Sequence, residues 1–156
     1  MKILIAYAAK YGTTKTIAEM LADRLEDAFL YDVTNETPIS LVEYEGIILG
    51  SPVMAGVISR DMKAFIETNQ EECMKKPLGI FLSGLQESEE DEYLAKNFSE
   101  ELLHKAKAKA YLGGIYVSAT LNRFSRAILR FMAKLDGSTP IIDEEKIDAF
   151  VRKFMD

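Results

Sequence analysis

The chain has 156 residues, 48% hydrophobic and 28% charged, which is enough to bury the core of one domain and too apolar for a disordered chain. Its formal net charge of −6 argues against a nucleic-acid partner, because phosphate backbones are bound by basic surfaces. One cysteine, Cys73, excludes an internal disulfide framework, and one histidine, His104, excludes a histidine-based zinc cluster and argues against a serine or cysteine nucleophile with a histidine base.

The pattern predicts a first strand over Lys2–Ala8, a helix over Thr14–Glu26 and a second strand over Phe29–Val33. A third strand follows at Gly46–Ser51, a helix at Ser59–Lys75 and a fourth strand at Leu78–Ser83. Next come a helix over Glu89–Lys109, a fifth strand over Leu112–Ser118, and helices over Leu121–Leu135 and Glu144–Met155. Ser88 and Asp143 are the expected N-caps, and Pro52, Pro77 and Pro140 fall between elements. The runs Ile3–Ile5, Ile47–Leu49 and Ile80–Leu82 are apolar without alternation, as in parallel strands covered on both faces. Strands alternating with helices define an α/β, doubly wound, five-stranded parallel sheet. No apolar run reaches the roughly 20 residues that span a bilayer. No leader precedes the first strand, so a cytoplasmic location is expected.

In such a sheet a ligand sits beyond the carboxyl ends of the strands, where the winding reverses. The loops Ala8–Thr14, Ser51–Gly56 and Ser83–Ser88 therefore belong together. In the first, a buried strand runs through Ala8-Ala9-Lys10-Tyr11-Gly12-Thr13-Thr14 straight into a helix. That turn aims backbone N–H groups and the positive end of a helix dipole at one point, which suits a phosphate. The dinucleotide pattern Gly-x-Gly-x-x-Gly and the P-loop pattern are both absent. Ala8, Ala9 and Ser51 at the strand ends cannot hold the magnesium ion of a receiver domain. The plain alternatives are an ordinary strand-to-helix turn at the first loop and a helix-entry turn at Ser51-Pro52.

The segment Ala9-Lys10-Tyr11-Gly12-Thr13-Thr14 resembles the Ser/Thr-x-Thr-Gly-x-Thr phosphate loop of flavodoxins, matching its glycine and last threonine. Gly50-Ser51-Pro52-Val53-Met54-Ala55-Gly56 is similar to the Gly-Ser-Pro-x-Tyr-x-Gly loop of flavodoxin-like proteins. The resemblance spans the whole chain as one flavodoxin-like domain, 1–156, and implies the strand order 2-1-3-4-5. It implies FMN as cofactor. The phosphate would lie on Ala9, Lys10, Tyr11, Gly12, Thr13 and Thr14, with Ser51, Pro52, Val53, Met54, Ala55 and Gly56 along one side of the ring. Ser83, Gly84 and Leu85 would stand on the other side. Met54 takes a place where many relatives present an aromatic ring, and the chain has no tryptophan, so reversible cofactor binding is expected. The Gly56 carbonyl is a candidate partner for the ring nitrogen that gains a proton on one-electron reduction. Glu87, Glu89, Glu90, Asp91 and Glu92 are candidates for an acidic rim, or simply acids favoured at a helix start.

Residues 119–142 form an insert before the last helix. Leu121, Phe124, Ile128, Phe131 and Leu135 recur at helical spacing, with Arg123, Arg126, Arg130 and Lys134 on the opposite face. This reads either as a core helix with a solvated basic side or as an interfacial helix on an anionic membrane or partner. The insert, after a Gly-Gly pair, looks like that of the menaquinone-dependent protoporphyrinogen dehydrogenases, peripheral membrane enzymes of the flavodoxin-like family. Three functions stay open on the sequence. They are an electron carrier or oxidoreductase that serves a redox protein or small acceptor, a membrane-associated dehydrogenase working with quinone, and a flavin-free binding module.

Overall fold

The computed structural model describes residues 1–9, 12–35, 37–84, 89–114 and 142–156. Strand β1 (Ile3–Tyr7) is buried along its whole length and pairs in parallel with β2 (Ala28–Asp32) on one side and β3 (Gly46–Met54) on the other. Both faces of β1 are covered, which is why its sequence does not alternate. Leu4 and Ala6 join one core cluster, and Ile3 and Ile5 join the other.

Helix α1 (Thr13–Ala22) carries the chain from β1 to β2, and its Ile17 and Leu21 pack on the second cluster. After β3 a short strand β4 (Val57–Ile58) folds back antiparallel to it. Helix α2 (Arg60–Lys75) then crosses to β5 (Leu78–Ser83), which pairs in parallel with β3. Ser59 caps α2 by accepting from the Asp61 N–H at 3.2 Å. Its Met62 and Ile66 belong to the first cluster, on the face opposite α1.

The predicted helix over Glu89–Lys109 is instead three elements: α3 (Glu90–Asn97), α4 (Glu100–Lys105) and strand β6 (Ala106–Tyr111). Phe98 is extended and buried, and Ser99 starts the second helix by accepting from the Leu102 N–H at 3.2 Å. Ala106-Lys107-Ala108-Lys109 has helical propensity, but its period of two buries the alanines while the lysines stay exposed. Pairing with β5 decides between the two readings. The fifth main strand thus lies before the predicted Leu112–Ser118, of which 112–114 are not strand and 115–118 lie outside the described residues. The chain beyond β6 still follows β5, with the Leu112 N–H donating to Leu82 O at 2.9 Å.

The sheet order is β2-β1-β3-β5-β6, with β4 attached to β3. Leaving β4 aside, this is the expected 2-1-3-4-5 order, and the winding reverses between β1 and β3. The last helix, α5 (Glu144–Met155), begins at Asp143, whose carboxylate accepts from the Glu145 and Lys146 N–H groups. Its Phe150 and Phe154 are buried on the second cluster beside α1. Phe81 from β5 meets Phe150 edge-on, with centroids 6.4 Å apart. Gly50 makes room for that ring, since a Cβ there would stand 2.0 Å from Phe81 Cζ. Lys10, Tyr11, Leu85, Glu87, Ser88 and the predicted helix Leu121–Leu135 lie outside the described residues.

Candidate ligand site at the carboxyl ends of the central strands

Gly12 opens α1 with φ at +84°, and no side chain caps the helix. Its carbonyl receives both the Thr16 N–H at 2.9 Å and the Thr16 hydroxyl at 3.0 Å. Helix geometry leaves the Thr13, Thr14 and Lys15 N–H groups without intrahelical acceptors. Among the described residues, apart from Gly12's chain neighbours, no atom lies within 4 Å of where a Gly12 Cβ would be, so its positive φ rather than crowding is what favours glycine here. An uncapped helix start of this kind suits an anion.

Thr14 is only 2% exposed, and its hydroxyl lies 2.8 Å from the Ser83 hydroxyl, itself 1% exposed. The pair ties the start of α1 to the end of β5, so two predicted site residues first of all join two of the three loops. Thr13, the first residue of α1, is half-buried.

Residues 51–56 form a more rigid unit than the sequence suggested. Val53 pairs with Ile58 and Met54 with Val57, leaving Ala55 and Gly56 as the turn. Their φ angles of +53° and +76° match the two-residue hairpin turn that follows strand twist. Ser51 is buried, its hydroxyl donating to Pro52 O at 2.9 Å and accepting from the Ser59 N–H at 3.0 Å. The hydroxyl therefore fixes the start of α2 against β3.

The hairpin is also clasped from α3. Asn97 Oδ1 accepts from the Ile58 N–H at 3.0 Å, while Nδ2 donates to Gly56 O at 2.9 Å and to Tyr93 O at 2.8 Å. The Gly56 carbonyl, expected to face a flavin nitrogen, is thus held by a side-chain amide. Asn97 was missed in the sequence, where the one hint was a break in helical periodicity at Asn97-Phe98-Ser99.

At the third loop Gly84 has φ at +152°, and its N–H donates to Gly113 O at 2.9 Å. A Cβ there would stand 2.2 Å from the Tyr111 hydroxyl, so only glycine fits. Glu90, one of the predicted acidic rim, accepts from the Tyr111 N–H at 3.1 Å and joins α3 to β6. Burial holds its carboxyl above the ordinary value, while that backbone hydrogen bond pulls the other way.

A cleft of about 500 Å³ opens beside the hairpin. Among the described residues, the predicted ones that line it are Ala9, Pro52 and Met54, whereas Gly12, Thr13, Thr14, Ser51 and Ser83 do not. Thr34, Ser59 and Arg60 line it as well, and none of these was anticipated as a site residue. Cys73 is fully buried, its thiol pushed up to about 11 by desolvation, and His104 is exposed. Among the described residues there is no metal-binding cluster, and no helix is long and apolar enough to cross a membrane.

Sheet order, crossover point and uncapped first helix define a doubly wound α/β protein, a class in which ligands sit over the strand ends where the winding reverses. The chain belongs to the Flavodoxin domain family, whose model matches residues 4–141. It is 24% identical over 147 residues to "Protoporphyrinogen IX dehydrogenase [quinone]" of Leishmania major, a match covering 87% of this chain and 64% of that protein. The chain thus spans just under two thirds of that relative. Among solved structures, it resembles Streptococcus pneumonia TIGR4 flavodoxin with a TM-score of 0.56 and 16% identity, covering 99% of this chain and 98% of that one. Fusobacterium nucleatum flavodoxin bound to flavin mononucleotide gives a TM-score of 0.52 and 14% identity, covering 99% and 96%. These structural likenesses concern the fold.

Proposed function

We propose that this protein binds FMN and works as a flavodoxin-type electron carrier or oxidoreductase. The observation that carries the proposal is the start of α1: Gly12 at positive φ and first-turn N–H groups with no side-chain cap. The phosphate falls to residues 9–14, with Thr13 as hydroxyl donor and Lys10 and Tyr11 completing the loop. The ring falls to Ser51, Pro52, Val53, Met54, Ala55 and Gly56 on one side and to Ser83, Gly84 and Leu85 on the other. Bound FMN supplies one- and two-electron transfer, and the protein sets where it sits and how readily it is reduced.

The residues present fit such a group in part. The amide nest at α1 suits a phosphate dianion, whereas the hairpin offers the ring Met54, which is 44% exposed, rather than an aromatic face. Reversible binding follows. The Gly56 carbonyl becomes available to the ring only if Asn97 releases it. The electron partner proposed is a redox protein, a quinone or another small acceptor, and the location proposed is the cytoplasm.

Titration with FMN and with riboflavin tests this reading. FMN fluorescence is expected to quench at one equivalent, with riboflavin binding at least tenfold more weakly because it lacks the phosphate. Equal affinities would remove the phosphate nest from the argument, and no quenching would leave a flavin-free scaffold.

A second reading is supported by the named activity of the Leishmania major relative. It makes the protein a membrane-associated dehydrogenase passing electrons to quinone, docked through the basic face of Arg123, Arg126 and Arg130. Co-sedimentation with anionic liposomes separates the two. Charge reversal of these three arginines must abolish any such binding for the second reading to stand.

A further inference from the structure

We propose that the hollow between α5 and the outer edge of β6 is a binding site for a small phosphate dianion, either the free ion or the phosphate of a small ester. The hollow has a volume of about 180 Å³. That is below the size of ordinary organic-ligand sites and enough for a tetrahedral oxyanion with a few waters. Among the described residues its walls carry Lys109, Lys146 and Lys153 against a single carboxylate, Glu90. The excess of positive charge stands out in a chain whose net charge is −6, and a dianion balances it.

One wall follows from helix geometry. Lys146, Ala149, Phe150 and Lys153 stand at i, i+3, i+4 and i+7, so they share one face of α5. Phe150 is packed in the core, and the small Ala149 leaves room between two lysines whose Cα atoms are two turns, roughly 10 Å, apart. Burial holds the Lys146 ammonium below its ordinary value, and an anion beside it would offset that cost.

The other wall is the strand edge. Among the described residues β6 ends the sheet. Its Leu112 N–H turns inward to Leu82 O, while the Tyr111 N–H turns outward to the Glu90 carboxylate at 3.1 Å. Alternation along the strand sends the Lys109 N–H to the same outer edge. The protein's own carboxylate on Tyr111 shows that this edge accepts an anion. The Lys109 ammonium is engaged elsewhere, donating to Leu103 O at 2.9 Å, so Lys146 and Lys153 supply the side-chain donors. None of the described residues that line the hollow belongs to the proposed cofactor loops, and β5 stands between β6 and β3. The inference does not rest on flavin binding.

The probe is inorganic phosphate, titrated into the full chain at constant ionic strength and followed by amide shifts, with chloride as the control salt and FMN present or absent. Shifts are expected to centre on Lys109, Lys146, Ala149 and Lys153, and to persist when FMN is added. Replacing Lys146 and Lys153 together by glutamine should weaken binding about tenfold. Lys153→Arg should keep it, and Glu90→Gln should tighten it by removing the competing carboxylate, which a merely structural role for the lysines would not do. Glycerol 3-phosphate separates the two sources: affinity at or above that of phosphate assigns the ester, and lower affinity assigns the free ion. Shifts confined to the start of α1, an equal response to chloride, or unchanged affinity in the double variant would overturn the proposal. Should the double variant fail to fold, Lys153→Glu at its exposed position decides, and affinity equal to wild type would overturn the site.

Discussion

Replacing Asn97 by alanine should release the β3–β4 hairpin without unfolding the sheet. Two hydrogen bonds cross from α3 to the hairpin, to the Ile58 N–H and to Gly56 O, at 3.0 and 2.9 Å. The bond to Tyr93 O stays within α3 and does not enter the count. A typical intramolecular hydrogen bond is worth about 1 kcal/mol net, so the crossing pair contributes about 2 kcal/mol to keeping the hairpin docked. That is about 30-fold in the opening equilibrium. The loss is local, because the hairpin carries two ladder pairs and its Ile58 stays in the core cluster that also holds Leu94 of α3. Hydrogen exchange followed by NMR is the direct assay. The Ile58 amide should exchange about 30-fold faster in Asn97→Ala, while Leu4 and Ile80 amides in the sheet keep most of their protection. Asn97→Asp keeps an acceptor for Ile58 but no donor for Gly56, and should fall between the two. An Ile58 exchange rate within twofold of wild type would refute the clasp.

Gly50→Ala should cost about 3 kcal/mol in urea unfolding, because the new methyl would overlap the Phe81 ring in a core already filled by Phe150. An unchanged midpoint would mean that the ring has room to turn. Burial raises the Glu90 carboxyl above its ordinary value, so the folded chain holds that proton more tightly than the unfolded chain. Stability from this group is therefore full below the ordinary carboxylate value and is lost as pH rises through the raised one. Glu90→Gln should flatten that decline in thermal scans, and identical pH profiles for the two proteins would contradict it. The Cys73 thiol, buried and pushed up to about 11, should resist a disulfide reagent at pH 8 until denaturant is added. Rapid reaction of the native protein would show that the α2 core opens readily.

The family membership gives these local arguments a common frame. In a doubly wound sheet the loops at the reversal point are free to carry a ligand, because the strands beneath are held from both faces. Here each loop is tied down in its own way: Thr14 to Ser83, Ser51 to Ser59, and Gly84 to Gly113. Several polar groups that look like ligand contacts in the sequence are already committed to one another. What these bonds fix is the course of the backbone over the strand ends.

The sequence alone determined the parallel sheet and the position of its reversal point. Runs such as Ile3–Ile5 and Ile80–Leu82 are apolar at every residue, and only a strand covered on both faces tolerates that. It also showed the strand-to-helix turn at Gly12, because an apolar run followed at once by a glycine, threonines and helical spacing leaves little else for the backbone to do. The fifth main strand was decided by tertiary structure: Ala106–Tyr111 has the propensity of a helix and the alternation of a strand, and the open edge of β5 chose the latter. The Asn97 clasp was invisible for a related reason. Its partners Gly56 and Ile58 lie 41 and 39 residues away, and no local pattern encodes a hydrogen bond that exists only after α3 has docked on the hairpin.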